Sequence, residues 1–273
     1  MNSSSDPCAY LDETKRIAGD AGRRILDVYE RDFSVAHKQD GSPLTEADRA
    51  AHQHIVTQLR ALTPEVPVLS EESAAVDYTE RAHWQRFWLV DPLDGTKEFV
   101  KRNGEFTVNI ALVEGHRPVL GVVLAPVTET LYSACVGLGG FKQVGHGEPT
   151  PICARRYDGG VATVVASRSH PGKKLAGFLS SVTRQEGQPR TRSMGSALKM
   201  CLVAEGVADV CPRFGPTSEW DTAAAHCVLE AAGGRLVDLG RHPLRYNKRE
   251  LVNPWFLASG AGDYDWTVHV DGD

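Results

Sequence analysis

The chain has 273 residues, 41% of them hydrophobic and 24% charged, enough apolar material for one large domain or two fused halves. Its net charge of −5 excludes a general binder of nucleic-acid backbone, which carries a basic surface. An anionic substrate would therefore need local cations or metal ions to hold it.

The first stretch, MNSSSDPCAYLDETKR, lacks a basic segment followed by an apolar one, so no secretory signal is expected. Residues 10 to 30 have helical spacing, with Tyr10, Ile17, Ala18, Ala21, Ile25 and Val28 inward and Arg23, Arg24 and Asp27 on the wet side. A turn-rich loop feeds a second helix, with Thr45 as N-cap and Asp48 three residues on. Its inner stripe is Ala47, Ala51, Ile55, Leu59 and Leu62, and Pro64 ends it. VPVLSEES is a short strand closing in carboxylates, and Phe87 to Val90 is a buried strand leading into VDPLDGTKEF. Phe106 to Val113, Val119 to Leu124 and Leu131 to Val136, joined by short turns, predict an antiparallel sheet. The longest apolar run, Val119 to Val127, is broken by Gly121 and Pro126 and is too short to span a bilayer.

The Gly- and Pro-rich segment Gly137 to Gly160 is the expected boundary between halves 1–155 and 156–273. Beyond it, strands at 162–166, 207–211, 235–238 and 255–259 alternate with helices at 171–182, 196–205 and 221–232, the last ended by Gly233-Gly234. The pattern predicts an antiparallel α+β half joined to an α/β half. Six cysteines, at 8, 135, 153, 201, 211 and 227, form no CxxC pair and have no zinc spacing, so they read as reduced thiols of a cytosolic protein, with structural disulfides as the weaker alternative.

Acids recur at element ends: Asp48, Glu71 and Glu72, Asp91 and Asp94, and Asp221. Singly they are ordinary, since an acid in a helix's first turn offsets the macrodipole and one beyond a strand is solvated. Asp91 and Asp94 differ. Pro92 holds them on a short loop where like charges repel unless they share a cation or a proton. Gly95 permits close backbone approach and Thr96 adds a hydroxyl, which suits a hard cation with oxygen ligands and a phosphate on the turn. Without a nearby His or Cys, magnesium is favoured over zinc.

LSEES, WLVDPLDGTKEF and EWDTAAAHCVLEAAGG, in that order, resemble the signature of the inositol monophosphatase superfamily, and the likeness covers nearly the whole chain. The resemblance implies an α/β fold, a layered αβαβα sandwich of the inositol monophosphatase and fructose-1,6-bisphosphatase type. It also implies a magnesium-dependent, lithium-sensitive phosphomonoesterase. Carried over position by position, Glu71, Asp91 and the Leu93 carbonyl would hold a first Mg2+, and Asp91, Asp94 and Asp221 a second, with a third ion left open. Two such ions clamp the attacking and leaving oxygens of an in-line displacement. The same carry-over makes Thr96, paired with Asp48, the acceptor of the attacking water's proton, and gives Glu71 a catalytic part. It seats the phosphate on the N–H groups of Gly95 and Thr96, with Glu71, Leu93, Asp94 and Asp221 around it. Glu72 receives no role.

Discrimination among phosphate esters must come from the second half, where SMGSALK opens a helix, Arg213 follows in VADVCPRFG, and His170 stands in SRSHPG. Singly, Lys199 is a snorkelling lysine, Arg213 a loop charge and His170 a helix neighbour. Together they resemble the pattern of 3'(2'),5'-bisphosphate nucleotidases, in which Ser196, Lys199, Arg213 and His170 would grip the nucleotide and its second phosphate. That phosphate lies beyond the metals, so an acidic protein needs cations for it. The tail PLRYNKRELVNPWFLASG resembles the bacterial CysQ-type branch, with no chemistry attached to it.

The expected reaction is hydrolysis of the 3'-phosphate of 3'-phosphoadenosine 5'-phosphate to AMP, with 3'-phosphoadenylyl sulfate as a further substrate. The alternatives are an inositol-1-phosphate phosphatase and a non-catalytic nucleotide-binding module; the intact acids argue against the second. The expected partner is a small nucleotide bisphosphate and no nucleic acid. The expected location is the cytoplasm, with peripheral attachment to the inner membrane as the alternative, and the oligomeric state is left open.

Overall fold

The structure, a computed structural model, describes residues 6–37, 43–73, 76–167 and 172–270. A 3-10 turn at Pro7–Tyr10 opens α1 (Leu11–Tyr29), which buries Ile17, Ala18, Ala21, Ile25 and Val28. The antiparallel pair β1 (Val35–His37) and β2 (Pro43–Thr45) precedes α2 (Glu46–Leu62). Next come β3 (Val68–Ser70), α3 (Tyr78–Arg81), β4 (Arg86–Asp94) and α4 (Thr96–Val100). The strands β5 (Thr107–Glu114), β6 (Arg117–Ala125), β7 (Thr130–Cys135), β8 (Gly139–Val144) and β9 (Thr150–Ile152) complete a seven-stranded sheet in chain order from β3. It is antiparallel except where β3 runs parallel to β4.

The remaining elements are β10 (Thr163–Ser167), α5 (Lys173–Glu186), β11 (Arg190–Met194), α6 (Leu198–Ala204), β12 (Val210–Arg213), α7 (Glu219–Ala231), β13 (Arg235–Asp238) and β14 (Phe256–Ser259). Their five strands form a second sheet of order β11-β10-β12-β14-β13, with β10 parallel to β11 and β12, and β14 antiparallel to β12 and β13.

Two-residue alternation along the strands builds the layers. Val108, Ile110 and Leu112 of β5 face α1 and α2, whereas Ala111 and Val113 join the core that contains α6 and α7. That middle core also takes Val165, Cys211 and Ala258 from the second sheet, whose other face, through Val164, Val210 and Leu257, packs on Phe178 and Val182 of α5. The result is the expected αβαβα sandwich. At Gly121 of β6 an added Cβ would lie 2.3 Å from the Ala224 carbonyl, so glycine lets α7 sit close on the first sheet.

Within the segment Gly137 to Gly160, β8 and β9 extend the first sheet to its edge, and the second sheet begins with β10 at Thr163. Two readings of the sequence need correction. β11, whose five residues RTRSM carry one hydrophobic side chain and lie at a sheet edge, gave no apolar alternation to read. The cysteines are not all free: Cys8 and Cys135 form a disulfide, with Cα atoms 5.6 Å apart. The 3-10 turn lies against the first sheet and brings together residues 127 apart in sequence, a pairing that spacing alone does not reveal. Cys153, Cys201, Cys211 and Cys227 are free thiols. Among the described residues no helix is long and apolar enough to cross a membrane.

Candidate active site

The acids are assembled by backbone devices. Parallel pairing aligns Ser70 with Val90, and the Glu71 N–H donates to the Val90 carbonyl at 3.1 Å, which brings Glu71 beside Asp91. In a regular strand, residues three apart face opposite sides. Here the register slips between Asp91, paired with Asn109, and Asp94, paired with Thr107, so an extra residue turns both acids toward one end of the sheet. Pro92, which has no N–H to give the ladder, falls inside that irregularity. Gly95 follows with φ +91°, the left-handed step that launches α4 at Thr96.

Asp48 and Asp221 are placed by the same device on two different helices. Each is the third residue of its helix and closes a capping box, with Thr45 and Ser218 respectively. Asp48 Oδ2 accepts from the Thr45 N–H at 2.7 Å and Oγ1 at 2.6 Å, while its Oδ1 accepts from Thr96 Oγ1 at 3.2 Å. The Thr96 hydroxyl has the Leu93 carbonyl as a second acceptor, also at 3.2 Å. Asp221 Oδ2 accepts the Ser218 N–H at 2.8 Å.

Oxygens of Glu71, Asp91 and Asp221 lie within 4.8 Å of one another. Burial, then the charges of Glu71, Asp94 and Asp221, holds the Asp91 carboxyl well above the ordinary carboxylate range. Burial and the nearby Asp94 push Asp221 up to about 7. Asp94 stands beside this triad. Its Oδ2 accepts the Ala197 N–H at 2.6 Å and Asn109 Nδ2 at 3.3 Å, and burial raises its pKa while Lys199 opposes the rise. Three mutually repelling oxygen donors, with no His or Cys among them, fit a hard divalent cation.

A cavity of about 250 Å³ opens beside Asp94 and Asp221. Asp94, Gly95, Thr96 and Asp221 line it together with Ser196, Lys199 and Arg213. Lys199 is 9% exposed, and its Nζ donates to the Ser196 carbonyl at 2.6 Å. Burial lowers its pKa. Arg213 Nη2 donates to the Pro216 carbonyl at 3.2 Å. His170 lies outside the described residues.

The tail that lacked a role supports Asp221. Glu219, fully buried, accepts from the N–H groups of Asn247 at 2.6 Å and Lys248 at 2.9 Å, and from Lys248 Nζ at 2.6 Å. Asn253 Nδ2 donates to the Ser218 carbonyl at 2.7 Å and to Thr222 Oγ1 at 3.1 Å. The Lys248 ammonium is thus committed to Glu219, two residues before Asp221. Arg81 ties the same tail to the first half, donating to Asn247 Oδ1 at 2.9 Å and the Lys248 carbonyl at 3.2 Å. In the sequence these tail residues stand out only through the likeness of YNKRELVNP to the CysQ-type branch.

The sequence pattern of the inositol monophosphatase family matches residues 9–260. The chain belongs to that family. Among curated relatives, the 3'(2'),5'-bisphosphate nucleotidase CysQ of Escherichia coli K12 is 49% identical over 252 residues, covering 91% of this chain and 99% of the relative. The protein of the same name from Aggregatibacter actinomycetemcomitans is 39% identical over 265 residues, 94% of each chain. Among solved structures, CysQ from Bacteroides thetaiotaomicron superposes with a TM-score of 0.82 at 43% identity, over 93% of this chain and 99% of that one. An inositol monophosphatase from Thermotoga maritima gives 0.74 at 26% identity, over 91% of each chain.

Proposed function

We propose that this chain is a 3'(2'),5'-bisphosphate nucleotidase that hydrolyses the 3'-phosphate of 3'-phosphoadenosine 5'-phosphate, giving AMP and phosphate. 3'-Phosphoadenylyl sulfate, with the same 3'-phosphate, is a further substrate. The observation that carries this reading is the shared cavity, which Lys199 and Arg213 line together with the turn Asp94-Gly95-Thr96. An ester with one phosphate has no use for a second pair of cations, whereas a bisphosphate does. The names of the curated relatives agree with it.

Glu71, Asp91, Asp221 and the Leu93 carbonyl would hold Mg2+, two ions in the simplest arrangement, with Asp94 contributing the oxygen not turned to Ala197. When bound, such ions acidify a water and stabilise the charge that develops on the leaving oxygen. The protein's own part is positioning and proton transfer. The N–H groups of Gly95 and Thr96 seat the 3'-phosphate. Thr96 passes its hydroxyl proton toward Asp48 Oδ1, 3.2 Å away, and takes one from the attacking water. The water oxygen bonds to phosphorus as the bond from phosphorus to the ribose 3'-oxygen breaks; that oxygen takes a proton from solvent and leaves as the hydroxyl of AMP, and Asp48 gives its proton back to solvent. Asp48 keeps its other oxygen on Thr45, so its orientation survives the transfer.

In this reading, residues 1–155 supply the acids except Asp221, residues 156–273 supply the grip on the nucleotide, and the enzyme works in the cytoplasm. The test is kcat/KM with Mg2+ on 3'-phosphoadenosine 5'-phosphate and on inositol 1-phosphate. A clear preference for the nucleotide is expected; a preference for inositol 1-phosphate refutes the assignment.

A further inference from the structure

Ser196 has φ +46°, a left-handed conformation that costs a non-glycine residue and persists only where its surroundings over-determine it. Both neighbours are pinned. The Ala197 N–H donates to Asp94 Oδ2 at 2.6 Å, and the Gly195 N–H donates to Glu105 Oε2 at 2.8 Å. The strained residue supplies the carbonyl that anchors Lys199 Nζ at 2.6 Å. The position of the Lys199 charge therefore depends on a turn held by two carboxylates of the first half.

Glu105 also touches the other turn. A Cβ added at Gly95 would meet the Glu105 carbonyl oxygen at 3.2 Å, and one added at Gly195 would meet that oxygen at 2.5 Å. One residue is thus wedged between the turn proposed to seat the 3'-phosphate and the turn that carries the nucleotide grip. Glu105 is itself fixed. Its N–H donates to Asn103 Oδ1 at 2.9 Å, and the next residue, Phe106, is fully buried against Tyr29 and Phe99.

We infer that Glu105 is a positioning and specificity-determining residue, which sets the distance between the seat of the scissile phosphate and the cations that hold the second one. This rests on the nucleotidase reading above. A substrate with two phosphates must satisfy both seats at once, so it senses their separation; a small phosphomonoester occupies one seat and does not.

The experiment compares 3'-phosphoadenosine 5'-phosphate with p-nitrophenyl phosphate in wild-type protein, Glu105→Ala, Glu105→Gln and Gly195→Ala, with melting temperatures alongside. Loss of a hydrogen bond to a charged acceptor is expected to raise KM for the nucleotide about tenfold in Glu105→Ala, with kcat and the small-ester kcat/KM changed by no more than about twofold. Glu105→Gln, which keeps an acceptor for Gly195, is expected to stay within about threefold of wild type. Gly195→Ala displaces the same turn sterically, so it should reproduce the selective loss even if Glu105→Ala does not fold. Equal losses on both substrates, or a nucleotide preference unchanged in Glu105→Ala and Gly195→Ala, overturn the inference while leaving the nucleotidase reading intact. Wild-type protein with no preference for the nucleotide overturns both.

Discussion

Of the groups at and beside the cavity, one set, from the ends of β3 and β4 and the start of α7, gathers carboxylates (the acid wall), whereas another, from β12 and the start of α6, gathers cations (the cation wall). The acids are close enough to repel, and burial plus that repulsion raises the pKa of Asp91 and Asp221. The cations face the opposite constraint: burial lowers the pKa of Lys199, and a backbone carbonyl fixes its direction. The comparison separates two jobs. The acid wall defines the reaction, because it needs an added cation to be comfortable; the cation wall defines the substrate, because it needs an added anion.

The largest expected effect breaks the acid wall. Asp94→Asn should lower kcat on every phosphomonoester by about 10³-fold, the scale of losing one group that stabilises transition-state charge, with the circular dichroism spectrum retained. Wild-type-like turnover would remove Asp94 from the site. The next prediction sharpens the contrast. Lys199→Ala should cost about 10- to 100-fold in kcat/KM on 3'-phosphoadenosine 5'-phosphate, the scale of a charge-assisted hydrogen bond, and little on p-nitrophenyl phosphate. Equal losses on the two would make Lys199 part of the reaction wall.

A smaller effect tests the tail. Lys248→Met removes the ammonium from Glu219 and should weaken divalent-cation binding, read by calorimetry, by about tenfold, as residues that orient ligands do. Unchanged cation affinity would make the clamp irrelevant to Asp221. The smallest concerns pH. In metal-free protein, folded Asp221 keeps its proton up to about 7, whereas the unfolded chain releases it near 3.8. Its contribution to stability is therefore full below about 4 and declines as pH rises through about 7. The melting temperature should be a few degrees higher at pH 5 than at pH 8, with the difference reduced in Asp221→Asn and by added Mg2+. The same pH difference in Asp221→Asn would contradict the assignment.

How much of this was legible follows from how each wall is built. The acid motifs are short and sit at element ends, and the apolar run into VDPLDGTKEF, the Thr45–Asp48 spacing and the antiparallel strands from Phe106 to Val136 all follow local rules that the structure obeys. Glu71 and Asp221 join Asp91 through parallel pairing and an α7 terminus, which residue types alone do not disclose; their grouping came from family resemblance. β11 and the Cys8–Cys135 bridge escaped because an exposed edge strand has no apolar period and a long-range disulfide has no local mark. In the sequence, the tail residues Lys248 and Asn253 are only a family marker. Their physical role, fastening α7 so that Asp221 points at the other acids, depends on contacts with Glu219 and Ser218 that appear only in three dimensions.

The most direct test of the central claim is the product of wild-type turnover on 3'-phosphoadenosine 5'-phosphate with Mg2+, resolved by chromatography. The two-wall account predicts one phosphate released and 5'-AMP formed, because the acid wall takes the 3'-phosphate while Lys199 and Arg213 hold the other. Adenosine 3'-phosphate as the product, or no phosphate released, would contradict it.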